Sequence, residues 1–233
     1  MDGKSLIVSS LLLGACFIAG MYTLAPTLEM TAKHLIESER LVTVKGLAER
    51  MVKADHVYIP IGYSVKSYSH SDGLQMIDAY RAQVLEHIKR YGIRDNDIGF
   101  SMPSMYTFSE GSNGTGRQVY SISAGVYVST DNMEAAEKLK NSFYELMNAG
   151  IPLTDQSWDI RYTYNGLNDI KPAMVEEATR NAREVAEKFA RDSGSSLGKI
   201  KTANQGVFSI NGDDKDPNKL VRVVSTVQFY LND

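Results

Sequence analysis

The chain has 233 residues, 25 Lys and Arg against 28 Asp and Glu for a net charge of −3, and a single cysteine. That balance excludes nucleic-acid binding driven by a basic surface. Because Cys16 lies in an apolar run, the rest of the chain has no disulfide, no thiolate metal site and no cysteine nucleophile.

Leu6 to Ala25 contains no charged residue. At about 1.5 Å per residue it matches the hydrocarbon thickness of a bilayer. Residues 1–26 therefore read as an uncleaved signal-anchor helix that ends at Pro26. Two alternatives are left open. One is a cleaved signal peptide with an apolar region from Leu6 to Leu13, although no small-x-small site is well placed. The other is a lipid anchor at Cys16, because Leu13-Gly14-Ala15-Cys16 resembles a lipobox, although the apolar run continues where a polar tether is expected. Lys4 precedes the segment and Lys33 and Arg40 follow it, so counting positive charges does not decide orientation. A short N-terminus before a first apolar segment favours N-terminus in and body out. Residues 27–40 read as a polar connector. Residues 41–233, about 190 in number, are enough for one sizeable core or two small lobes.

In the body, Leu41 to Gly46 reads as a short strand. From Val57 to Val65, apolar and polar residues alternate as in a half-buried strand. Pro60 donates no ladder hydrogen bond and argues for an edge or a bulge there. Asp72-Gly73 opens a helix with Leu74, Ile77, Val84, Ile88 and Tyr91 on one face, and Gly92 is its stop. Phe100 to Phe108 is a less regular strand, and Ser109 to Gly116 a glycine-rich loop.

Tyr120 to Val128 is the cleanest alternating strand. Asp131 is then the expected cap of a helix with Glu134 at capping-box spacing and Ala136, Leu139, Phe143, Leu146 and Met147 buried, ending near Gly150. Trp158, Ile160, Tyr162 and Tyr164 alternate again. A long helix is expected from Pro172, a good first-turn residue, to Asp192. Its stripe is Val175, Ala178, Ala182, Val185, Ala186 and Phe189, and Gly194 and Gly198 end the element. Val207 to Ile210 and Leu220 to Leu231 read as strands joined by the acidic turn Asn211 to Lys219. Adjacent strands without intervening helices point to an α+β fold with mainly antiparallel sheets and helices packed on them.

No residue pattern in the body spells out catalysis. The histidines His34, His56, His70 and His87 are not at ligand spacing, so no metal site is expected. Asn211, Asp213, Asp214 and Asp216 lack the glycine and terminal glutamate of an EF-hand and read as a solvated turn. Gly111, Gly114 and Gly116 open no helix and make no phosphate loop. There is no G-x-S-x-G, and no His and Asp stand in order around a serine. Asp55 is the most tempting carboxylate, and reads as a turn residue bonding nearby backbone N–H groups. Of the 13 tyrosines, Tyr58, Tyr63, Tyr120, Tyr127, Tyr162, Tyr164 and Tyr230 lie on strands. Tyr58 and Tyr127 fall opposite the apolar set, where they serve either cross-strand packing or a subunit interface.

Two stretches carry a family resemblance. Leu41-Val42-Thr43-Val44-Lys45-Gly46-Leu47-Ala48-Glu49, followed by Ala54-Asp55, resembles the V-x-V-x-G opening of the SIMPL domain. The helix with Ala178, Ala182 and Ala186, then Gly194 and Leu197-Gly198-Lys199-Ile200, resembles that family's later signature, and Val221-Val223-Val227-Phe229 its closing strand. The resemblance spans about Leu41 to Leu231. It implies an exported bacterial envelope protein, often periplasmic. Some members are immunogenic, some are linked to oxidative-stress defence, and at least one forms a large ring-like homo-oligomer. It supplies no catalytic, cofactor-binding or metal residues. Many members have cleavable signals, and the long apolar segment here departs from that. The expectation is a non-enzymatic, single-pass inner-membrane protein with its body in the periplasm, self-assembling in a structural or envelope-stress role. A ligand- or client-capturing module is the alternative.

Overall fold

A computed structural model describes residues 40–111, 116–155 and 159–232. The expected anchor, Cys16, His34, Gly114 and Trp158 lie outside the described residues, as does the connector up to residue 39. Among the described residues no helix is long and apolar enough to cross a membrane.

The elements run β1 (Leu41–Lys53), β2 (His56–Ser67), α1 (His70–Arg90), a 3-10 turn (Asp95–Asp97), β3 (Ile98–Phe100), β4 (Ser104–Glu110) and β5 (Arg117–Thr130). There follow α2 (Met133–Asn141), α3 (Phe143–Asn148), β6 (Arg161–Thr163), α4 (Leu167–Asp192), β7 (Ser196–Gln205), β8 (Ser209–Asn211) and β9 (Asn218–Asn232). The fold is α+β with antiparallel pairing, as the alternation predicts. One sheet has the order β1-β9-β7 with β8 also on β9; the other has the order β3-β5-β2-β6 with β4 also on β5.

The chain divides into two compact units. The smaller comprises residues 40–44, 186–203 and 227–232 among those described. In it the Leu231 N–H donates to Arg40 O at 2.9 Å, Gln228 Nε2 to Thr43 Oγ1 at 3.2 Å, and Thr202 Oγ1 to Gln228 Oε1 at 2.9 Å.

The larger unit, residues 45–185 and 204–226, holds two apolar clusters. The main one packs the odd-numbered residues Val57, Ile59, Ile61, Tyr63 and Val65 of β2 with Ile122, Val126 and Val128 of β5 under Ile77, Val84 and Ile88 of α1. Period-two alternation sends one side of each strand to this core and the other outward. Gly73 lets α1 approach closely, since a Cβ there would lie 2.7 Å from Ile122 Cδ1. Contact through Gly73 and Ile77 rotates Leu74 about 100° off the core line, and it is exposed rather than buried as expected. In the second cluster Ala48, Met174, Ala178, Val221 and Val223 pack together. Gly46 explains the glycine of the opening motif: a Cβ there would overlap the Ala178 carbonyl oxygen and sit 2.5 Å from Ala182 N.

Several expected boundaries move. The strand expected at 100–108 is two strands, because Phe100 faces Val126 while Ser104 faces Ser123. Four steps on one side against three on β5 make a bulge, and Pro103, which lacks an N–H, sits in it. Pro60 is in a strand with partners on both sides, yet locally at an edge. β6 pairs only with His56–Tyr58, and the next bonds on that side are Thr154 N–H to Gly62 O and Ser64 N–H to Pro152 O. Pro60 lies between, where no ladder bond is needed.

The second helix caps on Asn132, whose side chain accepts from the Ala135 N–H, not on Asp131. It breaks at Ser142 into α2 and α3, and Met147 is left exposed. The long helix starts at Leu167, five residues early, with Pro172 inside it. Its buried line is Met174, Ala178, Ala182, Ala186 and Ala190, at strict four-residue spacing, so Val185 and Phe189 turn outward. Gly198 lies in β7 instead of ending the helix. That strand is largely exposed and carries no apolar alternation to announce it.

Candidate functional site

The outward face of the β3-β5-β2-β6 sheet collects the most chemistry. Register decides this. Tyr58 of β2 stands opposite Ser129 of β5 on one side and Arg161 of β6 on the other, and His56 stands opposite Thr163. Even-numbered residues of β2 and odd-numbered residues of β5 therefore share the face away from the apolar core. Tyr58 and Tyr127 meet there with ring centroids 5.4 Å apart, and Gly99 of β3 leaves the room that the Tyr127 ring occupies. This contact is cross-strand packing, one of the two roles open to these tyrosines.

Beside them, His56 Nδ1 lies 2.6 Å from Asp131 Oδ1, and His56 Nε2 lies 2.9 Å from Ser129 Oγ. A carboxylate accepts only, so Nδ1 carries the proton in the neutral ring and Nε2 is left to accept from the Ser129 hydroxyl. The His56 side chain is 25% exposed and that of Asp131 75%. His56 and Ser129 line a cavity of about 590 Å³ whose wall also includes Tyr58, Pro60, Asp159, Arg161 and Thr163. That volume is within the range of small-molecule sites. Arg161 pairs with Asp159, whose carboxylate raises the guanidinium's proton affinity.

A second histidine holds a serine in the opposite sense. His87 Nε2 lies 2.7 Å from Ser142 Oγ, and Ser142 Oγ–H donates to Leu139 O at 2.7 Å. Since the hydroxyl proton is committed to that carbonyl, Nε2 must be the donor. Nδ1 faces Glu145 Oε2 at 3.9 Å. Burial depresses the His87 pKa, assisted by Arg90 and opposed by Glu145.

Asp55 is a structural clasp of longer reach than expected. Its Oδ1 accepts from Asn165 N–H and its Oδ2 from Gly166 N–H, both at 2.7 Å, tying the β1–β2 junction to the start of α4. In the acidic turn, Asp213 Oδ1 accepts from Lys215 N–H and Asp216 Oδ1 from Asn218 N–H, and the Lys219 ammonium donates to Asp213 O. These carboxylates order their own turn. Among the described residues no group of three or more His, Cys, Asp or Glu side chains is placed to hold a metal ion. His70 lies edge-on to Tyr120, with centroids 5.8 Å apart.

With V-x-V-x-G explained by Gly46 and the following aspartate by the Asp55 clasp, the motif residues have structural roles. A family match decides the identity: SIMPL, described as a protein of unknown function (DUF541), matches residues 42–225. The chain belongs to the SIMPL family. No curated protein matches it. The SIMPL motif residues do not include His56, Ser129 or Asp131, and sequence order does not group them. The one signal available was their parity: each falls on the polar side of an alternating strand or one step beyond it.

Proposed function

We propose that this SIMPL protein is membrane-tethered on the extracytoplasmic, periplasmic side and self-assembles into a homo-oligomer with a structural or envelope-stress role. The observation that supports it best is β4. It is an edge strand on β5, exposed over almost its whole length, with Met105 on one face and Tyr106 on the other. An edge with free ladder groups and exposed apolar side chains is a template for pairing with another chain. Only Glu110 is charged in it, so little repels a second copy. The apolar Leu6–Ala25 segment supports the tether, and confinement to a membrane raises effective concentration so that weak interfaces suffice. The assembly needs no turnover and no cofactor.

The test is the size of the full-length protein extracted in mild detergent. The expected result is an assembly that dissociates when Met105→Lys and Tyr106→Lys are combined. A wild-type chain that stays monomeric at about 10 μM, far above the dilute regime where weak contacts fail, overturns the assembly claim.

A further inference from the structure

We propose that Ser129 is a latent nucleophile, activated by His56 and oriented through it by Asp131, and that the outward sheet face hydrolyses small, accessible esters. This goes beyond the assembly reading and does not depend on it. The geometry carries it: carboxylate, imidazole and hydroxyl stand in that order at 2.6 and 2.9 Å, with the tautomer that leaves Nε2 free to take the serine proton. Strand register places them, since Ser129 and Tyr58 are direct cross-strand partners and His56 is two residues from Tyr58 on the same face. Two paired strands carry His56 and Ser129, a firmer mount than a loop, and Asp131 follows directly on the end of β5. The His87–Ser142 pair marks the contrast, because there the hydroxyl proton is committed to Leu139 O and the serine is buried.

The step balances with water alone. Ser129 Oγ attacks the ester carbonyl carbon while its proton passes to His56 Nε2. The adduct collapses, breaking the bond to the alcohol oxygen, and His56 returns the proton to that leaving oxygen. Water then attacks the acyl-Ser129, giving the acid and restoring the serine, with His56 again carrying the proton. Arg161 is the cation on the same cross-strand row, beyond Tyr58. Tyr58 and Pro60 supply apolar wall. The substrate class is therefore an ester of an acidic, aromatic alcohol, whose leaving group needs little help and whose ring meets an apolar surface. Asp131 is well exposed, so solvent screens its hold on the imidazole, and its loss costs less than in an enclosed triad.

The experiment uses the full-length protein in mild detergent with two probes: 4-nitrophenyl acetate for turnover and a biotinylated fluorophosphonate for covalent capture, the labelled peptide located by mass spectrometry. The expected label is on Ser129. Ser129→Ala should abolish labelling, His56→Ala should cut it at least tenfold with partial rescue by added imidazole, and Asp131→Asn should cut it severalfold. Ser209→Ala, on exposed β8, should label like wild type. Circular dichroism shows that each variant is folded, and Ser129→Ala removes only one hydroxyl. Labelling that is absent, that survives Ser129→Ala, or that falls on another serine overturns the proposal. So does hydrolysis unchanged in Ser129→Ala. None of these outcomes bears on oligomer size, so the two proposals fail separately.

Discussion

His56 and His87 each meet a serine through Nε2 and a carboxylate through Nδ1, yet the two clusters are built for different work. His56 joins strands across an outward sheet face, and its carboxylate is in solvent. His87 sits on α1 at the junction of α2 and α3, 5% exposed, with Ser142 equally buried. The difference lies in where the serine proton goes. Ser142 gives it to Leu139 O, so the pair ends a helix and holds the next one in place. Ser129 has its proton directed at an imidazole that can accept it. Residue types alone do not separate a clamp from a candidate nucleophile; hydrogen-bond direction and burial do.

Deleting each histidine in turn separates the two clusters most directly. His87→Ala removes a buried ring and orphans part of the Ser142 network, and should destabilise by about 2–4 kcal/mol. His56→Ala removes a partly exposed ring whose hydrogen bond to an exposed carboxylate is weakened by solvent, and should cost at most about 1 kcal/mol. Urea-unfolding midpoints of the two variants check this. Equal losses would make the His56 cluster a clamp as well.

Deleting the serines gives the same contrast with a smaller effect. Ser142→Ala leaves the His87 Nε2–H buried without an acceptor, a loss of about 1–3 kcal/mol. Ser129→Ala leaves His56 at a wall that water reaches, and should fall within about 0.5 kcal/mol of wild type. Thermal shifts measured side by side would show the gap. A large loss at Ser129 would place it in the load of the sheet rather than in chemistry.

Much of this architecture is legible in the sequence, and the illegible part has a physical reason. The alternation of Val57 to Val65 and Tyr120 to Val128 predicts both central strands of the larger unit, and Gly92, Gly150 and Gly194 end helices at positive φ as expected. The alanine line is legible only in part. Val175, Val185 and Phe189 suit a helix face by hydrophobicity, but Gly46 brings a strand against the Ala178–Ala182 backbone and leaves room only for small residues. β7 is missed because an exposed strand has no apolar rhythm. The His56 cluster is hidden for another reason. Its members are 73 and 75 residues apart and meet only through the β2–β5 register. A slip of one residue would turn Ser129 toward the core, and no single-strand pattern reveals that register. The Asp55 clasp, reaching across 110 residues, is invisible on the same ground.

The smallest and most selective test is pH. Burial lowers the pKa of His87 from 6.5, so the folded chain holds the ring neutral where the unfolded chain begins to protonate it. Below about pH 6.5 the unfolded state therefore binds more protons, and stability must fall as pH drops toward the folded-state pKa. Above that window the contribution is complete and flat. Glu145 faces Nδ1 and works against the shift, Arg90 works with it, and Glu86 lies on the same surface cavity. The net direction is set by burial, the largest of these causes. The useful quantity is a difference, which isolates this one ring from the rest of the chain. His87→Gln keeps an N–H for Ser142 but cannot protonate. The stability gap between wild type and His87→Gln, read from urea unfolding at about pH 7.5 and again at about pH 5.5, should narrow on acidification. A gap at His87 that stays constant or widens would mean that the ring gains its proton without cost, with Glu145 closing on it, and burial would not then set the direction.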